Sequence, residues 1–77
     1  PVISRFYGII IKMYFQQKEH NSPHFHLYRE YVGVIDINKL KMIEGDLPLV
    51  LEWAKNNQDE LLNIWNTQNF KQLEPLE

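Results

Sequence analysis

The chain has 77 residues, 44% of them hydrophobic, with no cysteine and a formal net charge of -2 at pH 7. This hydrophobic content excludes a disordered chain, and the absence of cysteine excludes disulfide bonds and thiolate metal sites. The charge lacks the strongly basic character of a duplex-binding protein. We therefore expect one small domain over residues 1–77, of marginal stability, that depends on a partner.

Apolar runs such as Ile9 to Ile11 are far too short to cross a membrane. No signal peptide is visible, and Pro1 is the residue expected after removal of an initiator methionine. The absence of cysteine also fits a reducing compartment. The sequence therefore predicts a cytoplasmic protein without membrane contact.

Two strands are predicted in the first part of the chain. Aromatic and β-branched residues dominate residues 5–15 and predict a first strand, which a polar loop over residues 16–23 follows. Polar and apolar residues then alternate strictly over residues 24–28, which predicts a second strand. Its Phe25 and Leu27 should point towards the core.

A third strand is predicted over residues 31–37, which are again rich in β-branched side chains. Arg29-Glu30 is expected to form the hairpin turn before it, although the pair lacks the usual Gly or Asn. Residues 38–46 are expected to be an irregular connection.

One long helix is predicted to follow, with Asp46 as its cap and Pro48 in its first turn. Residues 56–58 are its weakest part, and a kink is expected there. The helix should end near Asn69, and the tail around Pro75 should be loose. Apolar residues at helical spacing form one stripe: Val50, Trp53, Ala54, Leu61, Ile64 and Trp65.

These elements predict an α+β fold, a three-stranded antiparallel sheet with one long C-terminal helix packed on one face. Trp53 and Trp65 are expected in the core between the two layers. If the first two strands pair around the polar loop, Tyr14 should lie opposite or near His26. The uncovered face is expected to carry Phe6, Ile10, Lys12, Tyr14, His24, His26 and Tyr28.

All three histidines of the chain lie within residues 20–26, which is the stretch most typical of a functional site. His24 and His26 share one face of the second strand, and imidazoles at that spacing can bind one Zn²⁺. His20 or Glu19 can then supply a third ligand. A zinc site formed by His20, His24 and His26 is therefore one interpretation.

Acid–base chemistry without a metal is a second interpretation. One histidine of the pair His24 and His26 can act as base and the other as acid, as cleavage of RNA through its 2′-hydroxyl requires. Lys12 or Arg5 can stabilise the developing negative charge. With Tyr14 beside them, the candidate catalytic residues are His24, His26, Lys12 and Tyr14.

A third interpretation involves neither catalysis nor a metal. His24 and His26 can form hydrogen bonds across the sheet or to a bound partner, while an uncovered face this rich in aromatic residues serves as a binding or dimer surface. The residue types and their spacing leave all three interpretations open.

Several blocks of the sequence occur in an order typical of one bacterial family. The most specific is Pro23-His24-Phe25-His26, and nearly the whole chain is covered. The blocks are residues 1–9, Pro23-His24-Phe25-His26, Gly45-Asp46-Leu47-Pro48, Glu52-Trp53-Ala54, Leu61 and Trp65. With them the chain resembles the small bacterial family catalogued as domain of unknown function 4160.

This resemblance implies a component of a toxin–antitoxin module, because members are often encoded beside another small gene. It implies as partner a small protein from that neighbouring gene. The uncovered aromatic face makes a second copy of the chain the other expected partner, and the histidine pair makes RNA the expected substrate if the protein is the toxin. A non-catalytic antitoxin or regulator, with or without a histidine-ligated metal, is the alternative. The sequence departs from the family between Pro48 and Leu49, where members usually have several more residues.

Overall fold

The computed structural model describes residues 1–14 and 22–76, which form one five-stranded antiparallel sheet and two short helices. The strands lie in the sheet in chain order, and each pairs with the next. The prediction of three strands and one long helix is therefore wrong, although the α+β class is right. The elements are β1 (Val2–Phe6), β2 (Ile9–Lys12), β3 (His24–Arg29), β4 (Gly33–Asp36), β5 (Lys41–Glu44), α1 (Pro48–Asn56) and α2 (Gln58–Thr67).

A tight turn at Tyr7-Gly8 divides the predicted first strand into β1 and β2. Both residues have positive φ angles, 52° and 75°, as a two-residue type I′ hairpin turn requires. The turn pairs Phe6 with Ile9 and directs both side chains into the core. Phe6 was expected on the uncovered face, but its ring centroid lies 5.5 Å from that of Trp53.

The predicted connection over residues 38–46 contains β5, which pairs with β4. The chain reverses at residues 37–40, where the backbone N–H of Lys39 donates to Oδ1 of Asp36 over 2.9 Å. Leu40 completes the turn with a φ of 53°. Met42 then pairs with Ile35, and a bulge separates this pair from the next.

The helical region begins at Pro48, as predicted, but Asp46 does not cap it. Its backbone N–H donates instead to the Tyr31 hydroxyl, and no side chain caps the helix. The helical region is interrupted at Asn57, whose backbone N–H and side-chain amide both donate to the carbonyl of Trp53. The weak stretch at residues 56–58 thus separates two helices. None of the described helices is long and apolar enough to span a membrane.

The core lies between the helices and one face of the sheet. Trp53 and Trp65 are buried there, as predicted, and the ring of Phe25 meets that of Trp53 edge-on at 5.9 Å. The buried apolar residues are Ile3, Phe6, Ile9, Ile11, Met13, Phe25, Leu27, Ile35, Ile37, Val50, Trp53, Ala54, Leu61, Ile64 and Trp65.

The C-terminal segment packs back against β1, so the expectation of a loose tail is wrong. The backbone N–H of Leu73 donates to the Ile3 carbonyl over 2.7 Å, and the Ser4 hydroxyl donates to the Leu73 carbonyl over 3.0 Å. Trp53 Nε1 donates to the carbonyl of Glu74 over 2.8 Å. The tail therefore covers the β1 edge of the sheet, where unpaired backbone groups would otherwise face solvent.

Candidate functional site

The strand register brings the predicted site residues of β2 and β3 together on the face of the sheet away from Leu27, and the His24 ring also contacts Trp65 of α2. Lys12 of β2 lies directly across from His26 of β3, and Ile10 lies across from Tyr28. The intervening Leu27 is fully buried, so its neighbours in β3 point away from the core. We call the surface formed by Lys12, Tyr14, His24, His26 and Tyr28 the histidine face.

Two tyrosines flank His26 on this face. The Tyr14 ring meets the His26 ring edge-on at a centroid distance of 5.2 Å, which confirms the predicted proximity. The Tyr28 ring lies nearly parallel to that of His26, 6.1 Å away. The Tyr14 hydroxyl donates to the Tyr28 oxygen over 2.7 Å, so the two rings bracket His26.

The hydrogen bond between the tyrosines fixes where their protons lie. Donation to Tyr28 and burial together raise the pKa of Tyr14 to about 12. Tyr14 therefore stays protonated at neutral pH, and Tyr28 keeps its own hydrogen for another acceptor. The Lys12 ammonium lies 5.6 Å from the centre of the Tyr28 ring, a cation–π distance that places a positive charge beside this hydroxyl pair.

His24 is oriented by a backbone carbonyl. Its Nδ1 lies 2.8 Å from the carbonyl oxygen of Ser22, and because a carbonyl only accepts, Nδ1 carries the hydrogen. In the neutral ring the lone pair is then on Nε2. The His24 ring centroid lies 5.1 Å from that of His26 and 5.1 Å from that of Trp65 in α2. The contact with Trp65 was not predicted.

His26 is the histidine of this face whose pKa is shifted. Burial lowers its pKa below the ordinary value, and the charge of His24 lowers it further, while Glu44 opposes the shift. Its Nε2 is enclosed and has no hydrogen-bond partner among the described residues. His26 is therefore the ring that loses its proton more readily than an ordinary histidine.

The zinc interpretation lacks a complete ligand set in the part of the chain that the structure describes. No group of three His, Asp or Glu residues there could hold a metal ion. His24 and His26 supply two imidazoles, whereas a zinc site needs at least three protein ligands. The predicted third ligands, His20 and Glu19, lie outside the described residues, and the zinc site stays a prediction.

All residues of the histidine face lie within the part of the chain that one family model matches. The family described as Domain of unknown function (DUF4160) matches residues 8–66, from the first hairpin turn almost to the end of α2. The chain belongs to this family. No curated protein and no solved structure matches it. The matched range thus includes the site residues, but membership of the family assigns them no activity.

Sequence reasoning identified four residues that the fold brings together: Lys12, Tyr14, His24 and His26. It missed the hydrogen bonds that orient Tyr14 and His24. The alternation of β3 already placed Tyr28 on the same face, but not its hydrogen bond with Tyr14. The contact of His24 with Ser22 could not be predicted, because the acceptor is a backbone carbonyl, which every residue has.

Proposed function

We propose that this DUF4160 protein binds single-stranded RNA on the histidine face and cleaves it, as a cytoplasmic component of a toxin–antitoxin module. The observation that carries the proposal is the His24 ring, 5.1 Å from His26, with Nδ1 bound to a carbonyl. A fixed Nδ1–H leaves Nε2 as a base, the arrangement that activates histidine in many hydrolytic sites.

The reaction begins when Nε2 of His24 takes the proton of a ribose 2′-hydroxyl. The 2′-oxygen attacks the adjacent phosphorus, and the bond from phosphorus to the 5′-oxygen breaks. The Tyr28 hydroxyl gives its proton to the leaving 5′-oxygen, and His24 returns a proton to Tyr28 through solvent. Lys12 stabilises the added negative charge on the phosphate oxygens.

His26 has a positioning role in this scheme. Because its pKa is lowered, it stays neutral near pH 7 and does not compete with Lys12 for the phosphate. Its ring lies between those of Tyr14 and Tyr28 and holds them in place. The partly exposed rings of the two tyrosines can also contact unpaired bases.

The first prediction is that His24→Asn removes RNA cleavage. The asparagine amide can still donate to the Ser22 carbonyl but provides no base, so we expect a loss of about 10²–10⁴-fold in cleavage rate. Growth after induced expression and cleavage of purified RNA measure the effect, and circular dichroism checks the fold. Tyr7→Phe, at an exposed turn position, serves as the matched control. Full activity of His24→Asn would contradict the proposal.

A non-catalytic module that binds a small protein from the neighbouring gene, or a second copy of the chain, is the second candidate. The enclosed Nε2 of His26 favours it, because a buried nitrogen without a partner in the part of the chain that the structure describes suits a contact completed on binding. Under this alternative the purified chain cleaves no RNA and forms a stable complex. His26→Gln should then weaken that complex more than His24→Asn does.

A further inference from the structure

A second site adjoins the histidine face. A pocket of about 360 Å³ opens beside the turn between β1 and β2. Two arginines line it, and neither forms a salt bridge with a carboxylate of residues 1–14 or 22–76. Two arginines in one concavity, neither paired with a carboxylate of the described residues, form a site for an anion. The lining residues are Arg5, Phe6, Gly8, Ile9, Ile10 and Arg29.

The backbone turns Arg29 towards this pocket. Arg29 pairs across the sheet with Ile9, which is buried, so a regular strand would direct both side chains to the helix-covered face. Its φ of 81° lies instead in the left-handed region, and the side chain is exposed. Such a conformation costs about 1 kcal/mol or more in a residue other than glycine and is concentrated at functional sites.

The register places the pocket next to the proposed catalytic residues. Arg5, Ile10 and Tyr28 form one row across three strands, and Lys12 and His26 form the next row on the same face. Residues two apart along a strand are separated by about 7 Å. An extended polynucleotide on this face can therefore reach the pocket and Lys12 at the same time.

We propose that the pocket between Arg5 and Arg29 binds a phosphate group of single-stranded RNA, beside the nucleotide at the histidine face. The planar guanidinium fork matches the oxygens of a phosphodiester, and two such groups recognise it without reading the base. This inference rests on the proposed function, because it assigns the substrate's second anchoring point. Glu30, whose side chain lies against Gly8, contributes a nearby negative charge that limits the affinity.

The second prediction concerns binding of a short thymidine DNA oligonucleotide, which lacks the 2′-hydroxyl and cannot be cleaved. Fluorescence anisotropy at several salt concentrations measures its affinity for the full chain. We expect Arg5→Gln and Arg29→Gln each to weaken binding roughly tenfold. Each should also reduce the salt slope by about 0.7, the value for one lost phosphate contact on a single strand. Glu30→Gln should strengthen binding.

Lys55→Gln, which removes one exposed positive charge on α1, is the matched control and should leave the affinity unchanged. Equal effects of Lys55→Gln and the arginine variants would overturn the phosphate site, as would an absence of oligonucleotide binding. Inorganic phosphate that binds as tightly as the oligonucleotide would overturn the RNA assignment. Specific binding without RNA cleavage would instead contradict the proposed function and leave the phosphate site supported.

Discussion

One hydrogen bond determines which tyrosine of the histidine face can donate its hydroxyl hydrogen to a substrate. Because Tyr14 donates to Tyr28, Tyr14 cannot serve as the acid, and the free hydrogen belongs to Tyr28. The sequence predicted that Tyr14 lies near His26, since strand pairing fixes that distance. It could not predict the direction of donation, because a side chain's rotamer decides which oxygen it reaches.

The third prediction follows from this bond. Tyr28→Phe removes the acceptor, and the pKa of Tyr14 should fall from about 12 towards the ordinary 10.0. NMR of ring-labelled tyrosine at increasing pH measures the titration of Tyr14 directly. Tyr7→Phe, at the exposed hairpin turn, should leave that titration unchanged. An unchanged pKa of Tyr14 in Tyr28→Phe would mean that burial alone sets it.

At the scale of elements, sequence reasoning missed two hairpin turns, at Tyr7-Gly8 and at residues 37–40. Tyr7 takes a left-handed conformation although it is not Asn or Asp, and only Gly8 marked the reversal. Because apolar residues continue on both sides, the segment has the composition of one long strand. The proximity of Tyr14 and His26 was nevertheless predicted, although the register sets Lys12 rather than Tyr14 opposite His26.

The C-terminal segment is the other element that sequence patterns could not place. Residues 68–76 form no helix or strand, and their packing depends on contacts with β1 and α1, which are distant in sequence. The fourth prediction is that Leu73→Ala lowers the free energy of unfolding by about 1–2 kcal/mol, through lost burial at the β1 edge.

Urea denaturation measures this change, and Gln72→Ala, exposed in the same segment, is the control. Leu73→Ala should shift the denaturation midpoint without reducing binding of the DNA oligonucleotide. Equal stability of the two variants would show that the Leu73 side chain contributes nothing to the folded state.

At the scale of the whole molecule, the two faces of the sheet have different roles. One packs against the helices and stabilises the fold, and the other carries the candidate site. The helices cover one face, and the buried apolar residues come from both the helices and that face of the sheet. The other face carries charged, aromatic and imidazole side chains in adjacent rows. This division was predictable from the alternation of β3, although the number of strands and helices was not.

The fifth prediction links His26 to the stability of the whole fold. Burial and the charge of His24 lower the pKa of His26 in the folded state, so the unfolded chain binds its proton more tightly. As the pH falls below the ordinary 6.5, protonation therefore favours unfolding, and this loss stops below the folded-state pKa. Above 6.5 both states are neutral at this position, and its contribution to stability is fully present.

His26→Gln removes this titration but keeps the carboxylates whose protonation also affects stability. The difference in free energy of unfolding between about pH 8 and about pH 5 should therefore be smaller in His26→Gln than in the wild type. Urea denaturation at both pH values measures it. An equal difference in the two proteins would mean that the enclosed ring of His26 accepts a proton as readily in the folded state as in the unfolded chain.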